Sequence, residues 1–235
     1  MSGKLERGSA RPAPRVRVAT ELLLLTAATV SFLLLFPERP NRVDVSLAVF
    51  ALALLAANAR YTRDEIWRIH PPPRRDPPGL GAWRSMALFT SAALIGLATW
   101  AAAEAWRGGG PAAVPARLWR PGALVAVWVY LPWALLQQTL FQFYLLGRLL
   151  ALLPRRGAPL AVVATGLGYS LVHLPDLVLA SITATSGVVW TVCYYRYRRL
   201  LPIAISHAVL GSAFYAWIRQ REMLDALGAL LERIG

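Results

Sequence analysis

Cysteine is almost missing from this chain, and the one that occurs, Cys193, has no second thiol to pair with. Intramolecular disulfides are therefore excluded, and so is a zinc cluster built on several cysteines. The neighbours of Cys193 are apolar and aromatic, so packing is its expected role. Charge is also scarce. Only 16% of the 235 residues are charged against 57% hydrophobic, and the mean hydropathy is positive, a balance too apolar for a soluble domain of this size. Acidic residues are the scarcer sign, 12 against 25 Lys and Arg, which leaves a net charge of +13.

Such an excess of base would point to nucleic acid if it lay on one face, but it is distributed between apolar runs. The runs lie near 19–36, 43–59, 86–103, 121–147, 159–174, 176–195 and 201–218. Each is about the ~20 residues that a helical crossing needs. The expected fold is an all-α polytopic transmembrane bundle of about seven spans. Lys4, Arg7, Arg11, Arg15 and Arg17 precede the first run, and Arg60, Arg63, Arg68, Arg74, Arg75 and Arg84 follow the second. Arg148, Arg155 and Arg156 follow the fourth, and Arg196, Arg198 and Arg199 the sixth. These are alternate loops, and cytoplasmic loops carry the Lys and Arg excess. The pattern predicts an integral protein of a bacterial-type inner membrane with a cytoplasmic N-terminus and the C-terminus on the far side. The partner implied by the charge is the lipid bilayer, and no nucleic acid is expected. Phe36-Pro37-Glu38-Arg39-Pro40 offers no small-residue cleavage pair, so the first run reads as a retained span rather than a signal peptide.

Four regions follow from this pattern. Residues 1–18 read as a basic disordered arm, and 19–110 as three spans with a cytoplasmic loop rich in Pro and Arg over 60–85. In that loop Pro71-Pro72-Pro73 and Pro77-Pro78-Gly79 stop any helix, while Trp67 and Trp83 suit interfacial anchors. Residues 111–220 form a second half. The tail 221–235, with Met223, Leu224, Leu227, Leu230 and Leu231 at helical spacing, reads as an amphipathic interfacial helix.

Polar residues inside the runs mark where chemistry can reside, because an amide or imidazole is tolerated there only if it faces protein or a cavity. They fall in order: Gln137-Gln138-Thr139-Leu140-Phe141-Gln142-Phe143, then Tyr169-Ser170-Leu171-Val172-His173, then Ser206-His207-Ala208-Val209-Leu210-Gly211. This order and spacing resemble the CAAX-protease and bacteriocin-processing (CPBP, or Abi) family of intramembrane endopeptidases. That family carries Glu-Glu-x-x-x-Arg, then Phe-x-x-x-His, then a His followed four residues later by Asn. The resemblance covers about residues 115–218. It implies catalytic positions at Gln137, Gln138, His173 and His207, and substrate-binding positions at Gln142, Tyr169 and Gly211. In the family a Glu of the first motif activates the attacking water, while the His residues and the Asn hold that water and the oxyanion. The implied substrate is a membrane protein or a lipid-modified protein.

Here the two Glu are Gln137 and Gln138, the Arg is Gln142 and the Asn is Gly211. A carboxamide cannot take a proton from water, and losing a positioned general base costs ~10²–10⁴ in rate. The three Gln are able to hydrogen-bond one another, so the site reads as neutralised as a unit. Two functional readings stay open: an endopeptidase, with Glu104 or Asp176 as a substitute base, or a non-catalytic scaffold (a pseudoprotease) that binds substrate or a partner protease. A small-molecule transporter is a third, and it lacks the paired Gly or Pro breaks such proteins carry. No cofactor is expected, and no metal either, since two His fall short of the three ligands that catalytic zinc takes. The Gln cluster and the two His are expected to converge. Gly166, Gly168 and Gly187 are read as helix-packing positions.

Overall fold

A computed structural model describes residues 15–35, 49, 50, 52, 53, 55, 56 and 80–221, and every structural statement below concerns these. The arm up to residue 14, most of the second expected span, the Pro/Arg-rich loop up to residue 79 and the tail from 222 lie outside the described residues.

No strand occurs among the described residues. Helix α1 is Arg15–Leu35, α2 is Leu80–Gly109, α3 is Ala113–Leu118 and α4 is Gly122–Gln138. A π-helical stretch, Thr139–Leu145, continues α4 into α5, Leu146–Leu152. Then come α6 (Ala158–Leu171), α7 (Leu177–Tyr197) and α8 (Leu201–Ala213), the last closing in a π-helical turn, Phe214–Ile218. Local chemistry sets these boundaries. Gly110 takes φ +72°, a left-handed conformation that glycine adopts without strain, and ends α2. Pro159 and Pro202 sit in the first turns of α6 and α8, where a missing N–H costs nothing. Asp176 caps α7 by accepting from the Leu179 N–H at 3.1 Å.

Four helical segments are long and apolar enough to cross a membrane: Leu80–Gly109, Ala113–Leu152, Leu177–Tyr197 and Leu201–Ile218. This is the point at which the expected seven spans is not reached. α6, at the fifth expected span, has 14 residues, or ~21 Å at helical rise against a hydrocarbon core of ~30 Å. The chain leaves the helix at Val172 and turns through His173 to Pro175, which follows a cis peptide bond, before Asp176 starts α7. α1 overlaps the first expected span in sequence and is not among these four segments.

Lipid-facing character is legible in exposure: Leu88, Ile95, Leu124, Trp128 and Leu160 are all exposed, while Trp190, Tyr169, Ile203 and Leu146 fill the interior. α6 and α7 make the tightest contact. A Cβ on Gly166 would lie 2.6 Å from the Val188 backbone nitrogen, and one on Gly187 would lie 2.8 Å from the Gly166 carbonyl. Both positions therefore exist for close helix approach, as expected. A Cβ on Gly168 would make only an ordinary 3.5 Å contact with Leu145.

Arg148 departs from its expected loop position. It lies on α5, 1% exposed, with its Nε 2.9 Å from Glu21 Oε2 on α1. Tyr144 donates to the same carboxylate oxygen at 3.1 Å, and Arg17 Nε meets the other at 3.1 Å. The pairing lets a buried guanidinium remain charged, and it docks α1 against the second half of the chain.

Candidate functional site

His207 is at the centre of the polar interior. It sits on α8, 4% exposed, ~9 Å from the helix start. Tyr169 on α6 places its hydroxyl 3.0 Å from Nδ1 and 2.9 Å from Nε2. Tyr130 on α4 places its hydroxyl 3.2 Å from Nε2. The Trp190 ring lies against the imidazole at a centroid distance of 4.9 Å. The residue before the histidine is pinned as well: Ser206 Oγ accepts from Trp190 Nε1 at 3.1 Å and from Thr90 Oγ1 at 2.7 Å. Four helices thus fix one imidazole.

His173, in the turn between α6 and α7, is half-buried, its ring 5.8 Å from that of Tyr169. It and His207 line the same cavity of about 60 Å³, with Tyr130, Thr183, Ser186 and Gly211 on the wall. α6 is short of a full-length span, and the irregular turn at His173 lines the cavity, where such backbone is tolerated.

The glutamines divide. Gln137 meets the site indirectly, since Tyr130 donates to its Oε1 at 3.4 Å. Gln138 and Gln142 are 0% exposed, and neither amide oxygen nor amide nitrogen of either has a hydrogen-bond partner among the described residues. The expectation that the three would bond as one cluster is overturned. The wider π-helical turn that begins at Thr139 takes the pair out of the regular i,i+4 stacking of an α-helix. Nor are Gln138 and Gln142 among the residues lining the cavity, although neither faces lipid. Between them, Phe141 packs edge-on against Tyr169 at 4.7 Å.

The two candidate substitute bases are placed elsewhere. Glu104 pairs with Arg107 at 2.8 Å at the exposed end of α2. Asp176 spends Oδ1 on the α7 cap and Oδ2 on Arg219. Among the described residues, none lining the cavity carries a carboxylate. Among the described residues no three His, Cys, Asp or Glu gather as a metal would need. Cys193 is buried, as its neighbours suggested.

Tyr130 is the site residue that motif reading missed. The available signal was its spacing, seven residues or about two turns before Gln137, which puts both on one helix face. Trp190 and Ser206 were missed because their roles depend on tertiary contact.

Residues 118–213 match the family described as type II CAAX prenyl endopeptidase Rce1-like. The match runs from the end of α3 to the end of α8 and takes in all three motifs, so the resemblance to the CPBP family of CAAX proteases stands. No curated protein and no solved structure matches the chain.

Proposed function

From a chain whose residues 118–213 are similar to the Rce1-like CAAX endopeptidases, we propose an intramembrane protein that keeps the substrate-binding architecture of such a protease and does not hydrolyse. One observation carries this reading: among the described residues, none lining the cavity that holds His173 and His207 carries a carboxylate. Peptide hydrolysis needs a group that removes a proton from water as it attacks, and a carboxamide at 137 or 138 cannot do so. The proposed ligand is a membrane protein or a lipid-modified protein. Its scissile-like segment would enter beside His207, where imidazole and phenol groups offer hydrogen bonds but no base with an acidic partner. Catalytic positions in this proposal are His173, His207, Gln137 and Gln138, retained in place without turnover. Gln142, Tyr169 and Gly211 are proposed as the substrate-side positions.

The test uses purified protein in lipid nanodiscs, a fluorogenic peptide with a prenylated CAAX terminus, and the same peptide carrying a photocrosslinker. Crosslinking without cleavage is the expected result for the wild-type chain. Cleavage that persists in Gln137→Ala and Gln138→Ala but is lost in Glu104→Ala or Asp176→Ala overturns the reading and identifies the base.

A further inference from the structure

We infer that Tyr130 is the positioning residue of this site: it fills the space that a side chain at 211 would occupy and, through a relay to Gln137, holds His207 as the Nε2–H tautomer. The inference concerns the resting protein and stands whether or not the cavity binds a peptide.

The spatial part rests on Gly211. A Cβ built there would lie 2.9 Å from Tyr130 Cε1, closer than real contacts allow, and 3.5 Å from Cδ1, an ordinary contact. With the Tyr130 ring in this position, a Cβ at 211 could enter only by displacing the ring. The two positions are one exchange: a large side chain on α4 against none on α8. A polar side chain at 211 would have stood on the same helix as His207, one turn on, and the phenol brings a hydroxyl to the imidazole from the facing helix instead.

The electronic part rests on which groups face which nitrogen. The Tyr169 hydroxyl is almost equidistant from Nδ1 and Nε2, 3.0 and 2.9 Å, so it does not distinguish them. Tyr130 does, reaching Nε2 alone at 3.2 Å. Its single proton goes to Gln137 Oε1 at 3.4 Å, which leaves its oxygen to accept from Nε2–H. Nδ1 is then the lone-pair nitrogen and accepts from the Tyr169 hydroxyl. In this order every donor has one acceptor.

Two measurements test this on the full chain in nanodiscs. The first is ¹⁵N NMR of histidine-labelled protein, with the His207 signals identified by their loss in His207→Asn. A pyrrole-type Nε2 and a pyridine-type Nδ1 are expected in the wild type. Tyr130→Phe, which keeps the ring and removes only the hydroxyl, should lose that single tautomer. Gln137→Glu, which keeps an acceptor, should retain it. A pyridine-type Nε2 in the wild type, or spectra unchanged by Tyr130→Phe, overturns the relay. The second is thermal unfolding of Gly211→Ala, Tyr130→Ala and the pair. Gly211→Ala should lower the midpoint, and Tyr130→Ala should recover most of that loss in the double variant. A double variant whose loss is the sum of the two single losses overturns the exchange.

Discussion

Two amides with four polar atoms lie fully enclosed at Gln138 and Gln142 and bond to nothing among the described residues. Leaving a buried donor or acceptor unmade costs about 1–3 kcal/mol, and replacing the polar group by an apolar one of similar shape removes that penalty. Gln138→Met and Gln142→Met are therefore expected to raise the thermal unfolding midpoint in nanodiscs, or at least not lower it. A clear drop for either variant would mean that the amide is satisfied after all. Sequence reading located these residues correctly as buried and polar, because hydrocarbon forbids the alternative. It failed on their partners: motif spacing assumes a regular helix, and the π-helical stretch from Thr139 is not recorded in any residue type. His207 was legible for the opposite reason. An imidazole deep in an apolar run must face protein wherever the helix goes.

Among the elements, α6 and α7 show how a few small residues determine helix packing. Gly166 and Gly187 face one another across the contact, and the Gly166 carbonyl lies 2.8 Å from where a Cβ on Gly187 would go. This hairpin positions Tyr169 and His173 on one side and Trp190 on the other, so its separation sets the width of the imidazole pocket. Gly166→Ala, with its new methyl group 2.6 Å from backbone, is expected to cost about 1–3 kcal/mol as overpacking does elsewhere. Gly168→Ala, with 3.5 Å of room, should be tolerated within ~0.5 kcal/mol. Unfolding midpoints of the two single variants make the comparison: helix propensity favours Ala over Gly at both positions, so equal changes would show that the contact at Gly166 is not decisive. All three glycines looked alike in the sequence. Which of them meets a backbone depends on helix rotation, and the hydrophobic pattern of a membrane helix fixes that weakly because both its lipid face and its protein face are apolar.

At the scale of the whole molecule, the contacts at the helix ends sort into two rims. At one, Ser85 near the start of α2 lies 3.5 Å from the hydroxyl of Tyr197 at the end of α7. At the other, Arg117 donates to the Trp217 carbonyl at 2.9 Å, Trp217 Nε1 donates to the Leu118 carbonyl at 3.1 Å, and Arg219 pairs with Asp176. Chain direction is consistent throughout: α2 leaves the first rim and reaches the second, α4 and α5 return, and α7 runs from Asp176 back to Tyr197. Residues 158–176 must therefore carry the chain from the first rim to the second even though α6 is shorter than the hydrocarbon core, with the His173 turn completing the distance. Arg156, Arg196, Arg198 and Arg199 lie near the first rim, and the Lys and Arg bias predicts that this rim is the cytoplasmic one. In a Cys193→Ser background, Arg156→Cys and Arg199→Cys should react with a membrane-impermeant maleimide only after the membrane is opened. Ala112→Cys, exposed at the second rim, should react in intact cells or spheroplasts. If positions 156 and 112 label from the same side, α4 and α5 do not cross. The cavity with its two histidines would then open at the membrane surface instead of lying between the two rims, and a transmembrane substrate segment could not reach it.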